Sequence, residues 1–176
     1  MKAINRYTSI KGTTIYKLSK EGKPASAPAA IDMDITIGEQ SHPTTDIPVM
    51  GTLSVPDQSR LDNFTIEVNV NCDSPEAAEL GGEGIVGWQI QWVDEFVDTD
   101  GLPQIVGWTI TAKGYVTGLP EANKNQGSDN SGNLVMNVVS ILKKNSNDFV
   151  SYDIDRIANR LIRNGVDYRE RINALL

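Results

Sequence analysis

Residues 64–72 read Phe64-Thr65-Ile66-Glu67-Val68-Asn69-Val70-Asn71-Cys72. Apolar and polar side chains alternate without a break. Successive side chains of an extended chain point to opposite faces, so this period of two predicts a strand. One face, Phe64, Ile66, Val68, Val70 and Cys72, is expected to be buried; the other, with Glu67, Asn69 and Asn71, is wet and mildly acidic. Cys72, the only cysteine, cannot form an internal disulfide and is expected to be a buried structural thiol.

The same period recurs on both sides of this stretch. Upstream, Thr13 to Leu18 is a strand candidate, and Ile31-Asp32-Met33-Asp34-Ile35-Thr36-Ile37 alternates strictly. Between them lie the turn Glu21-Gly22-Lys23-Pro24 and an extended piece, Ala25 to Ala30. Downstream, Asp73 or Ser74 is placed to cap a short helix through Pro75, Ala77, Ala78 and Leu80, stopped by Gly81-Gly82. Ile85 to Val93 sets Trp88, Ile90 and Trp92 opposite Gln89 and Gln91. Gln104 to Val116 sets Trp108, Ile110 and Ala112 opposite Thr109, Thr111 and Lys113. With Asp98-Thr99-Asp100-Gly101-Leu102-Pro103 as a turn between them, the two runs predict an antiparallel hairpin.

Residues 121–133 show no apolar periodicity and are expected to be a mobile loop. Asn133 to Leu142 follows as a strand apolar on both faces, suited to a sandwich centre or a subunit interface; Phe149 to Ile154 pairs back on it. At 154–163 the spacing of Ile154, Ile157, Ala158, Leu161 and Ile162 is helical, and Tyr168 to Leu176 reads as a short final helix.

One turn-rich stretch carries more apolar residues than a loop needs. Between Pro43 and Val55, the residues Ile47, Val49, Met50, Leu53 and Val55 are punctuated by Pro48 and Gly51. This predicts a protruding hairpin arm whose apolar side chains must be covered by something else.

Composition narrows the function class. The 176 residues suffice for one domain. No run approaches the ~20 apolar residues that cross a bilayer. The first residues, Met1 to Tyr7, hold no apolar core of a signal peptide, so synthesis and retention in a cytoplasm are expected. The net charge of −7 is uneven: residues 1–23 carry six Lys/Arg against one acid, 140–176 seven against five, and 24–139 three against seventeen. An acidic body argues against tight DNA binding and suits basic ends that meet the body of a neighbouring copy.

The residues of catalysis are not assembled. His42 stands alone beside Pro43 and reads as an ordinary exposed histidine, without zinc partners. Asp98-x-Asp100-Gly101 opens like a calcium loop, but Leu102, Pro103 and Val106 do not continue it. Gly81-Gly82-Glu83-Gly84 follows a helix instead of preceding one and has no lysine, so it is a helix stop and not a phosphate loop. Asp153 and Asp155 are a carboxylate pair with no basic partner or cleft implied. No enzyme, metal or cofactor is expected.

The C-terminal residues carry a resemblance. Ile154-Asp155, then Asn164-Gly165-Val166-Asp167, then Ala174-Leu175 stand in the order of the major tail tube protein of contractile-tailed bacteriophages, with the spacing between the first two matching without a gap. The chain resembles that family in this motif, and in the order of strand, long hairpin arm and barrel strand over Ile35 to Cys72. It departs at Ala158-Asn159, followed by Arg160, where the family usually has Asn-Met, and in a longer, more basic N-terminal region. The resemblance implies an extended segment over 154–163, which we adopt over the helical spacing.

It further implies a mainly β chain: a β-sandwich or barrel of tail-tube type with one short flanking helix and a short C-terminal helix. The implied function is a structural subunit of the tail's inner tube, in hexameric rings that stack within a sheath and let DNA pass without tight binding. The expected partners are copies of itself, the tail sheath protein, the tape measure protein and the baseplate, and no membrane. The place is the virion, after assembly in the host bacterial cytoplasm. In that picture the arm (43–55) stacks rings, and Glu67, Asn69, Asn71, Gln89, Gln91, Thr109 and Thr111 are candidates to face the lumen. The inner tube of a tail-like bacteriocin or secretion system would look the same in sequence. A β-sandwich carbohydrate-binding module, with Trp88, Trp92 and Trp108 as exposed platforms, is a reading from a different class.

Overall fold

The computed structural model describes residues 5–31, 33–49, 51–72, 75–97, 101–118 and 131–175. In chain order they form β1 (Asn5–Lys17), β2 (Ala30–Ile31), β3 (Ile35–Ile37), β4 (Thr44–Val49), β5 (Gly51–Pro56), β6 (Thr65–Asn71), α1 (Pro75–Leu80), β7 (Ile85–Val97), β8 (Pro103–Gly118), β9 (Ser131–Asn145), β10 (Val150–Asp155), β11 (Arg160–Arg163), β12 (Val166–Asp167) and α2 (Glu170–Asn173). The chain is mainly β, and ten of these strands belong to one antiparallel sheet.

β6 buries Ile66, Val68 and Val70 and leaves Thr65, Glu67 and Asn69 half-exposed, as its alternation predicts. Cys72 lies one residue beyond the strand, in a turn, and is only half-buried. The expected burial fails because β6 ends at Asn71, so the pleat that would have turned the thiol inward is lost.

β9 organises the sheet. One of its edges pairs with β8 over most of its length. The other edge is shared, with β6 along Ser131–Asn137 and β10 along Ser140–Lys144. The changeover coincides with a bulge: Val138 pairs Gly114 and Ser140 pairs Lys113, leaving Val139 as the extra residue. The bulge reverses the parity of the strand, so Leu134, Met136 and Val138 before it and Ile141 after it all point into the core. The apolar character of both faces, expected as two-sided burial, is thus resolved as one buried face that changes parity. Val135 and Val139 remain half-exposed.

The sheet curls back on itself. From β1 the hydrogen-bonded path runs through β7, β8, β9 and β6 to β3. It returns to β1 through β2, which lies immediately upstream of β3. The alternating run Ile31–Ile37 is therefore not one strand. Its start pairs with β1 and its end with β6, where the Asp34 carbonyl also accepts from Asn69 N–H at 2.9 Å. β2 covers only Thr14 and Ile15 of β1, and β3 only Ile66 to Val68 of β6, so one run bridges the two ends of the sheet without pairing them to each other. Inside lie Ile15, Ile66, Val68, Trp88, Ile90, Ile110, Leu134 and Met136, each no more than 1% exposed. α1 closes one side with Ala77 and Leu80, and the Leu80 carbonyl accepts from the buried Trp88 Nε1–H at 2.9 Å.

Several elements outrun their expected bounds. β1 is thirteen residues long and starts at Asn5 instead of Thr13. Of the expected loop 121–133, Ser131 to Asn133 belong to β9, where they pair with Asn71 to Asn69; residues 121–130 lie outside the described residues, as do Met50, Asp73, Ser74 and Asp98 to Asp100. Residues 154–163 form the end of β10, a turn and β11, paired from Tyr152↔Arg163 to Asp155↔Arg160. The helical spacing there arises because Ile154 and Leu161 face the core from two antiparallel strands while Ile157 sits exposed in the turn.

Candidate functional site

β4 and β5 form a two-stranded hairpin apart from the main sheet, in register from Thr44↔Pro56 to Val49↔Gly51. Its base is tied down by Asp57 N–H to the Pro43 carbonyl (2.8 Å) and Asp62 N–H to the Ser41 carbonyl (3.0 Å). Gly51 takes a φ of 117° at the turn, a conformation that side chains resist. Thr44 to Pro48 and Gly51 to Pro56 are all exposed. Ile47 is 43% exposed and Leu53 52%; they stand opposite each other in register, and Val55, exposed too, follows on the same strand. A lone two-stranded ribbon is marginal in water. Ile47, Leu53 and Val55 thus lie on an extension that the chain's own core does not cover.

A second extension was not foreseen. Beyond Trp92 and Trp108, the strands β1, β7 and β8 continue as a three-stranded flap from Ile10↔Asp94 to Asn5↔Val97 and Val97↔Pro103. It exposes Ile10, Val97, Leu102 and Ile105. The signal is present in the sequence as apolar residues flanking the Asp98–Pro103 turn, but nothing there says that the core ends before the hairpin does.

At the root of the flap a cavity of about 590 Å³ opens, lined by Ile10, Met33, Ile35, Ile37, Ile90 and Trp92 together with Asp34, Asp94 and Lys143. Lys143 points inward because the Val139 bulge gives it the parity of Ile141. Its Nζ lies 4.8 Å from the ring centre of Trp108, 5.2 Å from Trp92 and 6.0 Å from Tyr152. Burial lowers its pKa, and the carboxylate of Asp94 opposes that shift. Burial likewise raises the pKa of the Tyr152 hydroxyl.

The three tryptophans are not exposed platforms. Trp88 is fully buried, and Trp92 and Trp108 turn their faces to each other and to Lys143 on the core side of the sheet. The alternation that marked them as one face is satisfied by inward packing.

The seven lumen candidates lie on the face of the sheet away from the core. Gln89 pairs Thr111, and Gln91 pairs Thr109, so these four form a polar block across β7 and β8. Glu67, Asn69 and Asn71 lie on β6 against Val135, Asn133 and Ser131 of β9. There Asn133 Nδ2 donates to Glu67 Oε2 at 3.0 Å, and Asn69 Nδ2 donates to Asn133 Oδ1 at 3.1 Å. The structure therefore places them on one outward surface, in two groups separated by β9.

The C-terminal motif does structural work. Ile154 is core. Asp155 Oδ1 accepts from the backbone N–H of Ile157 (3.0 Å) and Ala158 (2.9 Å), closing the β10–β11 turn. Asn164 (φ 48°) and Gly165 (φ 81°) make the turn into β12, which holds Val166 and Asp167. Asp167 Oδ1 accepts from Arg169 N–H at 2.8 Å and leads into α2. The suspected carboxylate pair is spoken for: Asp153 is gripped by Arg160 through Nε (2.9 Å) and Nη2 (3.0 Å), and Asp155 holds the turn.

His42 is not the free exposed histidine expected. Its Nε2 lies 2.9 Å from Arg163 Nη1, and its Nδ1 lies 2.6 Å from the Arg60 carbonyl. Both bonds form together when the neutral ring carries its proton on Nδ1. Among the described residues no group of His, Cys, Asp and Glu is arranged to hold a metal ion, and no helix is long and apolar enough to cross a membrane. Comparison of the sequence with known protein families and with curated proteins finds no match.

Proposed function

We propose that this chain is a structural subunit of the inner tube of a contractile phage tail, assembling with its own copies into stacked hexameric rings whose lumen conducts DNA. The observation that carries the reading is the β4–β5 arm, which holds Ile47, Leu53 and Val55 in water on an extension outside the core. Exposed apolar side chains on a protruding hairpin are stable in solution only at low cost of exposure, and they gain when a neighbouring molecule covers them. The flap at the end of the barrel adds a second apolar extension for the same purpose. The resemblance of Ile154–Leu175 to the tail tube family supplies the kind of assembly.

The polar block of Gln89, Gln91, Thr109 and Thr111 suits a lumen wall, since neutral amides and hydroxyls hold phosphates weakly; Lys113 and Lys144 border it on the same face. The tail sheath protein, the tape measure protein and the baseplate are the partners such a tube would meet, and the virion its place. A tail-like bacteriocin or secretion tube remains the alternative within the same class. The carbohydrate-binding reading is less favoured, because Trp88 is buried and Trp92 and Trp108 are half-buried and stacked on each other.

Electron microscopy of concentrated protein tests the reading. Tubes of stacked rings are expected from the intact chain, and a folded monomer without tubes after deletion of residues 44–54. Strictly monomeric intact protein at high concentration, or normal tubes from the deletion, would overturn it.

A further inference from the structure

A second cavity, of about 260 Å³, opens where the 57–61 loop meets the β10–β11 hairpin and the segment before α2. Four arginines line it: Arg60, Arg156, Arg160 and Arg169. They come from three separate parts of an otherwise acidic chain. Behind them Ile154 and Leu161, each no more than 3% exposed, supply an apolar floor.

Asp155 also lines the cavity, and the carboxylates around it have partners of their own. Asp153 is held by Arg160 through two bonds. Asp155 Oδ1 accepts two backbone N–H groups. Asp57 Oδ1 accepts from the backbone N–H of Ser59 at 3.0 Å and from its hydroxyl at 2.6 Å. Those bonds hold the Asp57 pKa low, with Arg60 and Arg169 adding to the effect at longer range.

Arg156 and Arg169 are different. Arg156 gives its two Nη groups to neutral acceptors, Asn63 Oδ1 at 3.0 Å and the Asp62 carbonyl at 2.5 Å, while its guanidinium lies 5.8 Å from the ring centre of Phe64. Its charge therefore has no hydrogen-bonded carboxylate. The Nε–H of Arg156 and the Nε–H of Arg169 are both buried, and neither has an acceptor among the described residues. A buried donor without an acceptor is unfavourable, and two of them on cationic groups around one cavity are uncommon.

We propose that this cavity is an oxyanion site, which takes one carboxylate or phosphate group between Arg156 and Arg169. Guanidinium groups present planar donors that match such oxygens, and a bond between charged partners is stronger than the neutral bonds Arg156 makes now. The site is independent of the tube reading, since a free ion or an acidic side chain of a second copy would meet the same guanidinium groups.

The test follows the arginine Nε–H groups of the intact protein by nitrogen–proton correlation spectroscopy, in a buffer free of phosphate and carboxylate. Inorganic phosphate is added in one series and acetate in another. The resonances of Arg156 and Arg169 are expected to move together and saturate. Arg163, bonded to His42 and Gln40 away from the cavity, is expected to stay in place. A third series varies protein concentration alone: movement there assigns the oxyanion to a second copy, and movement only with added ion assigns it to a small anion, and each supports the site. Arg169→Gln should weaken the affinity read at Arg156 by about tenfold. If that variant does not fold, the unmodified protein decides by itself. Absence of saturable movement in all three series overturns the proposal, as does equal movement of Arg163, which would mark general screening.

Discussion

Trp92 and Trp108 face each other across the β7–β8 pairing, their ring centres 6.4 Å apart and their planes 18° from parallel. Lys143 completes the group by placing its ammonium near both rings. Half-buried cations gain from such rings but lose hydration, and burial lowers the Lys143 pKa while the Asp94 carboxylate opposes the shift. Between that lowered value and the ordinary 10.5, the unfolded chain binds more protons at this site than the folded one. The folded state should therefore gain stability relative to a Lys143→Met variant as pH rises through that window, and lose the gain as pH falls through the lowered pKa. Denaturant melts of both proteins from neutral to alkaline pH measure the difference; a constant offset would contradict it.

Gly114 pairs Val138 directly beside the Val139 bulge, and a Cβ added there would run into the Asn137 carbonyl. The obstacle is backbone in the middle of a sheet, so it cannot swing aside. Gly114→Ala should cost about 3 kcal/mol, at the upper end of ordinary overpacking. Gly107→Ala, whose added atom meets nothing closer than Ser146 Cβ at 3.7 Å, should cost about 1 kcal/mol or less. Urea unfolding of the two variants gives the comparison.

The arm separates folding from assembly. Ile47→Asp and Leu53→Asp change exposed residues outside the core, so each should shift unfolding free energy by only about 0.5 kcal/mol. Together they should abolish the proposed self-association, measured by analytical ultracentrifugation. A large loss of stability would mean that the arm packs on its own body.

Asp155 anchors the β10–β11 turn with two backbone N–H bonds. Asp155→Ala leaves both donors to solvent and should destabilise the protein by about 1–2 kcal/mol. Faster amide exchange at Ile157 and Ala158 would localise the effect. Asp155→Asn, which keeps a side-chain acceptor, should recover about half of the loss.

Strand period, hairpin positions and the standing-off arm were legible in the chain because each depends on neighbours a few residues apart. The run Phe64–Asn71 needs only its own alternation to become a strand with one buried face. Other features needed contacts that sequence spacing does not encode. The Val139 bulge turned a strand apolar on both faces into one with a single buried face, and it pointed Lys143 at two tryptophans. The split of Ile31–Ile37 between β1 and β6 bridged the two ends of the sheet, because two distant edges were both in reach of one short run. Arg60 and Arg156 share a cavity although 95 residues separate them. Local pattern determines which face of a strand avoids water; which strands meet, and therefore which charges end up side by side, is decided only when the whole sheet finds the closure that buries most apolar surface.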